Sequence, residues 1–142
     1  MTTQLKIILL AATLAGTVFT TNARTRQVPR MYMFGMAASF TDSLVYFTGV
    51  QQVDSAWIDQ KSHYLKGRDN YSYQLRNYLS EQHGLHHRTC IVMYNEDRRK
   101  LEKEYLKMRE LYTTKARQPF EIHDLTEQDF RFTRIDVIDN AE

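Results

Sequence analysis

The apolar run at residues 31–40 (MYMFGMAASF) restricts the fold most, because it has no polar face when the chain is extended. Successive side chains of a strand point to opposite faces of a sheet. One face would carry Tyr32, Phe34, Ala38 and Phe40, and the other would carry Met31, Met33, Ala37 and Ser39. A strand of this kind needs packing on both sides, so we expect it in the interior of a sheet.

A second apolar run follows at residues 44–50 (LVYFTGV), rich in β-branched and aromatic side chains. Thr41 and Asp42 lie between the two runs and are typical of a tight turn. Two such runs joined by a short polar connection predict a β-hairpin.

The rest of the chain alternates between helical and extended patterns. We expect helices from Asp54 or Ser55 through Lys66, from Asp69 or Asn70 to Gly84, and from Asn95 to about Thr113, with strands at residues 89–94, 120–124 and 130–137. This order predicts a single α+β domain over residues 31–142. It would be a two-layer domain whose mainly antiparallel sheet of about four to five strands carries helices packed on one face.

The N-terminus has the three parts of a secretory signal peptide. Lys6 precedes the uncharged apolar residues 7–19, and small or polar residues lead to a cleavage point after Ala23. The apolar run is shorter than the roughly 20 residues that span a bilayer, although an uncleaved anchor is the alternative. We therefore expect residues 1–23 to be removed, residues 24–30 to be a flexible lead-in, and the protein to be periplasmic or secreted, with no membrane span after cleavage.

Charge and cysteine content exclude several classes of protein. Downstream of residue 23 there are 18 basic and 17 acidic residues, a net charge of +1. This balance lacks the basic excess typical of nucleic-acid binding, so we expect no nucleic-acid partner. Cys90 is the only cysteine, so the chain forms no internal disulfide and depends on its hydrophobic core. These features favour a bacterial envelope protein.

Two segments carry a resemblance to known proteins. They are residues 67–75 (GRDNYSYQL) and residues 88–94 (RTCIVMY), the latter followed by a charged helix. With the Tyr-Met-Phe-Gly sequence at residues 32–35, they resemble a group of short exported bacterial proteins of uncharacterised function. The resemblance covers most of the chain beyond residue 23. It implies an envelope location and nothing about chemistry, so no catalytic residue can be carried over from it.

The densest group of chemically active side chains comprises His83, His86, His87 and Cys90. Imidazole and thiolate are preferred ligands of zinc and copper, so a metal site is one hypothesis. The spacing H-x-x-H-H-x-x-C matches no established metal motif, and loop histidines beside a core cysteine are the structural alternative. Cys90 could also act as a nucleophile with one of these histidines or His123 as base, but a thiol inside an apolar strand favours the protonated form.

Four other residues do not fit a purely structural interpretation. Lys61 lies in the apolar stripe of the first predicted helix, and Arg68 beside Asp69 in a glycine-containing turn offers a donor for an anion. Tyr73 and Leu106 lie off the buried stripes of their helices. Together they suggest a binding surface for a protein or a glycan.

Common catalytic motifs of hydrolases, nucleotide-binding proteins, metalloproteases and thioredoxins do not occur in the sequence. We therefore expect a non-catalytic binding or interaction protein of the bacterial envelope that needs no cofactor. The alternative is a metal-binding protein or metal-assisted enzyme that uses zinc or copper at residues 83–90.

Overall fold

The computed structural model describes residues 25–137, which form a mixed five-stranded sheet and two helices. The elements are β1 (Thr25–Ala38), β2 (Leu44–Thr48), β3 (Gln51–Asp59), α1 (Arg68–His83), β4 (Thr89–Asn95), α2 (Arg98–Leu111) and β5 (Glu121–Leu125). The predicted α+β class is confirmed. The predicted signal peptide at residues 1–23 lies outside the described residues, and neither of the two helices is long and apolar enough to cross a bilayer.

β1 is the centre of the sheet and pairs with three other strands. On one edge it pairs with β4 from Tyr32 to Ala38, and on the other it pairs first with β3 and then, at Met36 and Ala37, with β2. All three pairings are antiparallel. β5 adds to β2 as the one parallel pair of the described sheet.

The Thr48 side chain supplies a hydrogen-bond partner at the point where the pairing of β1 changes from β3 to β2. The backbone N–H of Gly35 donates to the Thr48 hydroxyl oxygen at 2.8 Å, and that hydroxyl donates to the Gly49 carbonyl at 2.9 Å. Thr48 is fully buried. The Thr48 hydroxyl therefore takes the place of a ladder hydrogen bond. Without it, the buried N–H of Gly35 would have no partner.

The two helices contact opposite faces of the sheet. The space beside Gly35 is filled by Leu75 of α1, whereas the neighbouring Phe34 packs edge-to-face on Tyr105 of α2, with ring centroids 5.2 Å apart. The helices thus pack against the sheet as expected for the class, but they do not share one face. The reason is the apolar character of both faces of β1, each of which needs its own cover.

The N-terminal half of β1 differs from the prediction. Residues 25–30 of the expected flexible lead-in pair with β3, in the register from Thr25 opposite Asp59 to Arg30 opposite Asp54. Val28 is buried there. Long-range pairing orders a segment whose local sequence is polar and basic.

The first predicted helix, from Asp54 or Ser55 through Lys66, is wrong. This part of the chain forms the second half of β3 and a turn held by the Asp59 carboxylate, which accepts from the backbone N–H groups of Lys61 and Ser62 at 2.9 and 2.8 Å. In β3 the buried residues alternate with more exposed ones. Pairing with β1 overrides the local helical pattern, since strand formation depends strongly on neighbouring strands.

Most other local predictions are confirmed. The hairpin of β1 and β2, the strand β4 and the helices α1 and α2 lie where the patterns place them. α1 begins after Gly67, which occupies the N-cap position with a left-handed φ of 73°. Gly84, at φ 64°, ends α1 as predicted.

Residues 130–137 pack beside α1 but do not form the predicted strand. The buried Gln51 side chain donates to the Phe130 carbonyl and accepts from the Phe132 N–H, both at 2.9 Å. Gln74 holds both backbone groups of Thr133 in the same way, at 2.8 and 2.9 Å. Side-chain amides therefore satisfy the backbone that a neighbouring strand would otherwise pair.

Gly35 offers a test of the close packing between β1 and α1. A Cβ at this position would lie 2.7 Å from Leu75 Cδ2 and 3.1 Å from Phe132 Cζ, both in the buried core. We expect Gly35→Ala to lower the free energy of unfolding by about 1–2 kcal/mol, because those side chains must shift in a packed core. Urea denaturation measures the loss. Gly49→Ala is the control, since nothing lies within 4 Å of its added Cβ; an equal loss there would contradict the packing argument.

Gln51 tests how the C-terminal segment is held. Gln51→Leu leaves the Phe130 carbonyl and the Phe132 N–H without their partner, so the free energy of unfolding should fall by about 2 kcal/mol. The side chain of the exposed neighbour Gln52 donates to the Asp54 carboxylate at 2.7 Å, on the surface of the same strand. Gln52→Leu should therefore change stability by less than about 0.5 kcal/mol. Similar losses in both variants would show that the amide bridge contributes little.

Candidate functional site

A polar groove of about 310 Å³ lies where α1 passes the loop before β4 and the first residues of that strand. Its lining comes from two segments of the chain, Ser72, Tyr73 and Arg76 on α1 and His87, Arg88, Thr89 and Cys90 before and within β4. None of these seven residues is acidic. The groove therefore combines hydroxyl, imidazole, thiol and guanidinium groups without a carboxylate of its own.

α1 places three side chains along one side of the groove. Ser72 and Tyr73 precede Arg76 by four and three residues, which brings all three to one side of a helix. They lie away from the buried stripe of Tyr71, Leu75 and Leu79. The Tyr73 side chain is 52% exposed, and that of Arg76 is half-buried.

The opposite wall comes from residues 87–90. His87 has a left-handed φ of 62°, an uncommon conformation for a residue with a Cβ, and it completes the tight turn that leads into β4. Arg88 is 4% exposed, Thr89 is exposed, and Cys90 is half-buried in the strand. The turn thus presents an imidazole next to the start of a regular strand.

Arg88 fixes this wall to the β1–β2 hairpin. Its guanidinium binds both carboxylate oxygens of Asp42, with the bond to Oδ1 at 2.8 Å, and also donates to the Leu44 carbonyl at 3.0 Å. These hydrogen bonds from Arg88 hold the pKa of Asp42 below its ordinary value. Because this two-pronged pair neutralises the buried guanidinium, Arg88 is a structural element of the groove.

Cys90 lies in the groove as a protonated thiol. Burial raises the pKa of Cys90 to about 11, although the positive charges of Arg76 and Arg88 oppose the change. Its sulfur contacts the Arg88 carbonyl at 3.9 Å. At neutral pH the thiolate required of a nucleophile is scarce.

The four predicted metal ligands do not come together as one cluster in the described part of the chain. His83 lies against the rings of Tyr46 and Tyr78, with centroid distances of 5.7 and 5.4 Å. His86 Nδ1 is 2.6 Å from the Ser80 hydroxyl. Only His87 and Cys90 line the groove, and among residues 25–137 no three His, Cys, Asp or Glu side chains are grouped to hold a metal ion.

The other predicted site residues are also dispersed. Lys61 is exposed in the turn after β3, so the apolar stripe in which it was placed does not form. Leu106 is exposed on α2, which covers the face of the sheet opposite α1. Of the four predicted surface residues, Tyr73 alone lines the groove.

Arg68 has a different role from the predicted anion donor. Its Nε donates to the Val92 carbonyl at 3.1 Å, and its guanidinium lies over the Tyr94 ring, 5.6 Å from the centroid. Within the described sheet β4 pairs only with β1. A cation on a strand with one unpaired edge disfavours pairing with another chain, so Arg68 protects β4.

The sequence patterns did not identify four of the groove residues, namely Ser72, Arg76, Arg88 and Thr89. Arg76 could have been found, because it follows the exposed Tyr73 by one helical turn. Arg88 had no such signal, since its partner Asp42 is 46 residues away in the sequence.

A second groove, of about 390 Å³, lies on the side of the sheet that α2 covers. It is mainly apolar, and its lining includes Met36, Ile91, Tyr112 and Phe120. Phe40, at its edge, is fully exposed. Phe40 therefore does not continue the buried face that the alternation of residues 31–40 predicted.

Comparisons with protein-family models, with curated proteins and with solved structures find no match to this chain. The functional argument consequently depends on the residues of the groove.

The Arg88–Asp42 pair makes stability depend on acid pH. The folded-state pKa of Asp42 is lowered, so its stabilising contribution is complete above the unfolded value of about 3.9 and is lost as the pH falls through the folded-state pKa. Asp42→Asn should lower the melting temperature at pH 7, because it leaves a buried guanidinium without its carboxylate. The difference from the unsubstituted protein should shrink as the pH falls below the ordinary carboxyl value of about 3.9 and through the lowered folded-state pKa of Asp42.

Thermal unfolding followed by circular dichroism, at pH 7 and at acid pH, measures this effect. Glu127→Gln is the matched control, because Glu127 is exposed and removal of its charge leaves no buried group unpaired. A pH-independent difference between Asp42→Asn and the unsubstituted protein would contradict the assignment to ionised Asp42.

Proposed function

We propose that this chain is an exported, non-catalytic binding domain of the bacterial envelope and that the polar groove is its ligand site. The observation that carries the proposal is the convergence of residues 72–76 and 87–90 on one concave surface, with a half-exposed tyrosine ring beside a half-buried arginine. The signal-peptide pattern of residues 1–23 supports export to the periplasm or the medium.

The groove is better suited to binding a sugar than to binding the flat surface of another protein. Its volume of about 310 Å³ is at the lower end of the range for small-molecule sites. Tyr73 supplies an apolar ring face and a polar tip, which together match the two faces and the hydroxyls of a pyranose. Ser72 and Thr89 add hydroxyl groups that both donate and accept hydrogen bonds. The ligand class is therefore a glycan of the envelope.

The protonated state of Cys90, the sulfur nucleophile of the groove, favours binding over catalysis. A thiol with a pKa of about 11 stays protonated in the physiological range. Of the predicted bases, His87 lines the groove with Cys90, whereas His123 stacks on Tyr46 at 4.9 Å and is not part of the groove lining. The groove thus offers recognition groups, and its one sulfur nucleophile is held in the unreactive form.

Tyr73→Ala tests the proposal. The exposed ring is not part of the core, so the variant should fold normally and bind purified cell-wall polysaccharide at least about fivefold more weakly, a loss of about 1 kcal/mol. Co-sedimentation with the polysaccharide measures the bound fraction. Leu106→Ser is the matched control, because Leu106 is similarly exposed at 59% but lies on α2. Unchanged binding by Tyr73→Ala, or an equal loss in both variants, would refute the groove as the site.

A further inference from the structure

The charge of Arg76 has no counter-charge in the described part of the chain. Three arginines there are buried or half-buried, Arg76, Arg88 and Arg109. Arg88 is paired with Asp42, and Arg109 binds both carboxylate oxygens of Asp124, at 2.6 and 2.9 Å. The guanidinium of Arg76 makes no hydrogen bond or ion pair with any residue from 25 to 137.

Arg76 is half-buried as a residue, and its guanidinium keeps its N–H donors free of any hydrogen-bond partner among residues 25–137. Proteins generally place such groups where a carboxylate or phosphate completes the pair, because the planar fork binds two oxygens at once. Arg76 borders the groove, so an incoming anion can reach it without displacing a protein carboxylate. The free donors of Arg76 are therefore available to a ligand in the groove.

The surroundings of Arg76 favour an anion as well. The second guanidinium, that of Arg88, is already neutralised by Asp42, and the lining contains no acid that would repel a negative group. The hydroxyls of Ser72, Tyr73 and Thr89 are further donors for oxyanion oxygens. One uncompensated positive charge surrounded by neutral donors is complementary to one oxyanion.

We propose, on the basis of the binding function above, that the groove recognises an acidic glycan and that Arg76 binds its oxyanion. The oxyanion is a carboxylate or phosphate carried by the sugar. Tyr73 packs on the sugar ring, three residues away on the same helix, while the fork of Arg76 engages the charged group. The shape of the groove thus selects a sugar, and Arg76 selects its charge.

Paired ligands that differ only in charge test the proposal. Trigalacturonic acid is compared with its methyl ester, and galactose 6-phosphate with galactose, in NMR titrations of the purified protein. The acidic member of at least one pair should bind about tenfold more tightly than its neutral partner. The pair that shows the difference identifies the oxyanion as a carboxylate or a phosphate.

Substitution of Arg76 assigns the effect to one side chain. Arg76→Gln should remove the preference, so that the acidic ligand binds no more tightly than its neutral partner, whereas Arg76→Lys should retain part of the preference. Arg117→Gln is the control, because Arg117 is an exposed arginine outside the groove; it should behave as the unsubstituted protein does.

The outcomes separate this inference from the proposed function. Equal binding of acidic and neutral partners would overturn the role of Arg76 and leave glycan binding standing. A preference that persists in Arg76→Gln would also overturn that role. If none of the four ligands binds at concentrations up to about 10 mM, both the acidic ligand and glycan binding by this groove are wrong.

Discussion

The pairing of β1 on both edges is the interaction on which the rest of the fold depends. This 14-residue strand contacts β4 along one edge and β3 and β2 along the other. Where β3 gives way to β2, the buried Thr48 hydroxyl satisfies the Gly35 N–H. Because Gly35 has no side chain, Leu75 of α1 can approach the strand closely at the same point. Strand pairing, helix packing and backbone hydrogen bonding thus meet at one residue.

The two apolar faces of β1 also determine on which surface of the domain a ligand site can form. α1 covers one face and α2 the other, so the exposed side chains Tyr73 and Leu106 belong to different surfaces. The polar groove forms on the α1 side because β4 brings residues 87–90 beside that helix. Its far wall stays in place because Arg88 is anchored to Asp42 in the β1–β2 hairpin. The groove is therefore assembled by the sheet.

Elements with strong local patterns could be predicted from the sequence, namely the hairpin, both helices and β4. β3 could not, because residues 54–59 carry a helical pattern that pairing with β1 overrides. The pattern of residues 130–137 predicted a strand that does not form. Gln51 and Gln74 bind the backbone of this segment in place of a strand partner. Part of the site could be predicted, because Tyr73 lies off the buried stripe of its helix. Contacts between residues dozens of positions apart in the sequence leave no local signal.

The arginines show how the same side chain serves different purposes in one domain. Arg68 protects the edge of β4, while Arg88 and Arg109 each join distant elements through an aspartate. In every case the half-buried or edge-bound guanidinium has a protein partner that explains its position. Arg76 is half-buried, as Arg109 is, and has no such partner among residues 25–137. Since a structural arginine at this site would gain stability from a nearby acid, the absence of an acidic side chain from the groove lining is the feature that favours an external anion over a packing role.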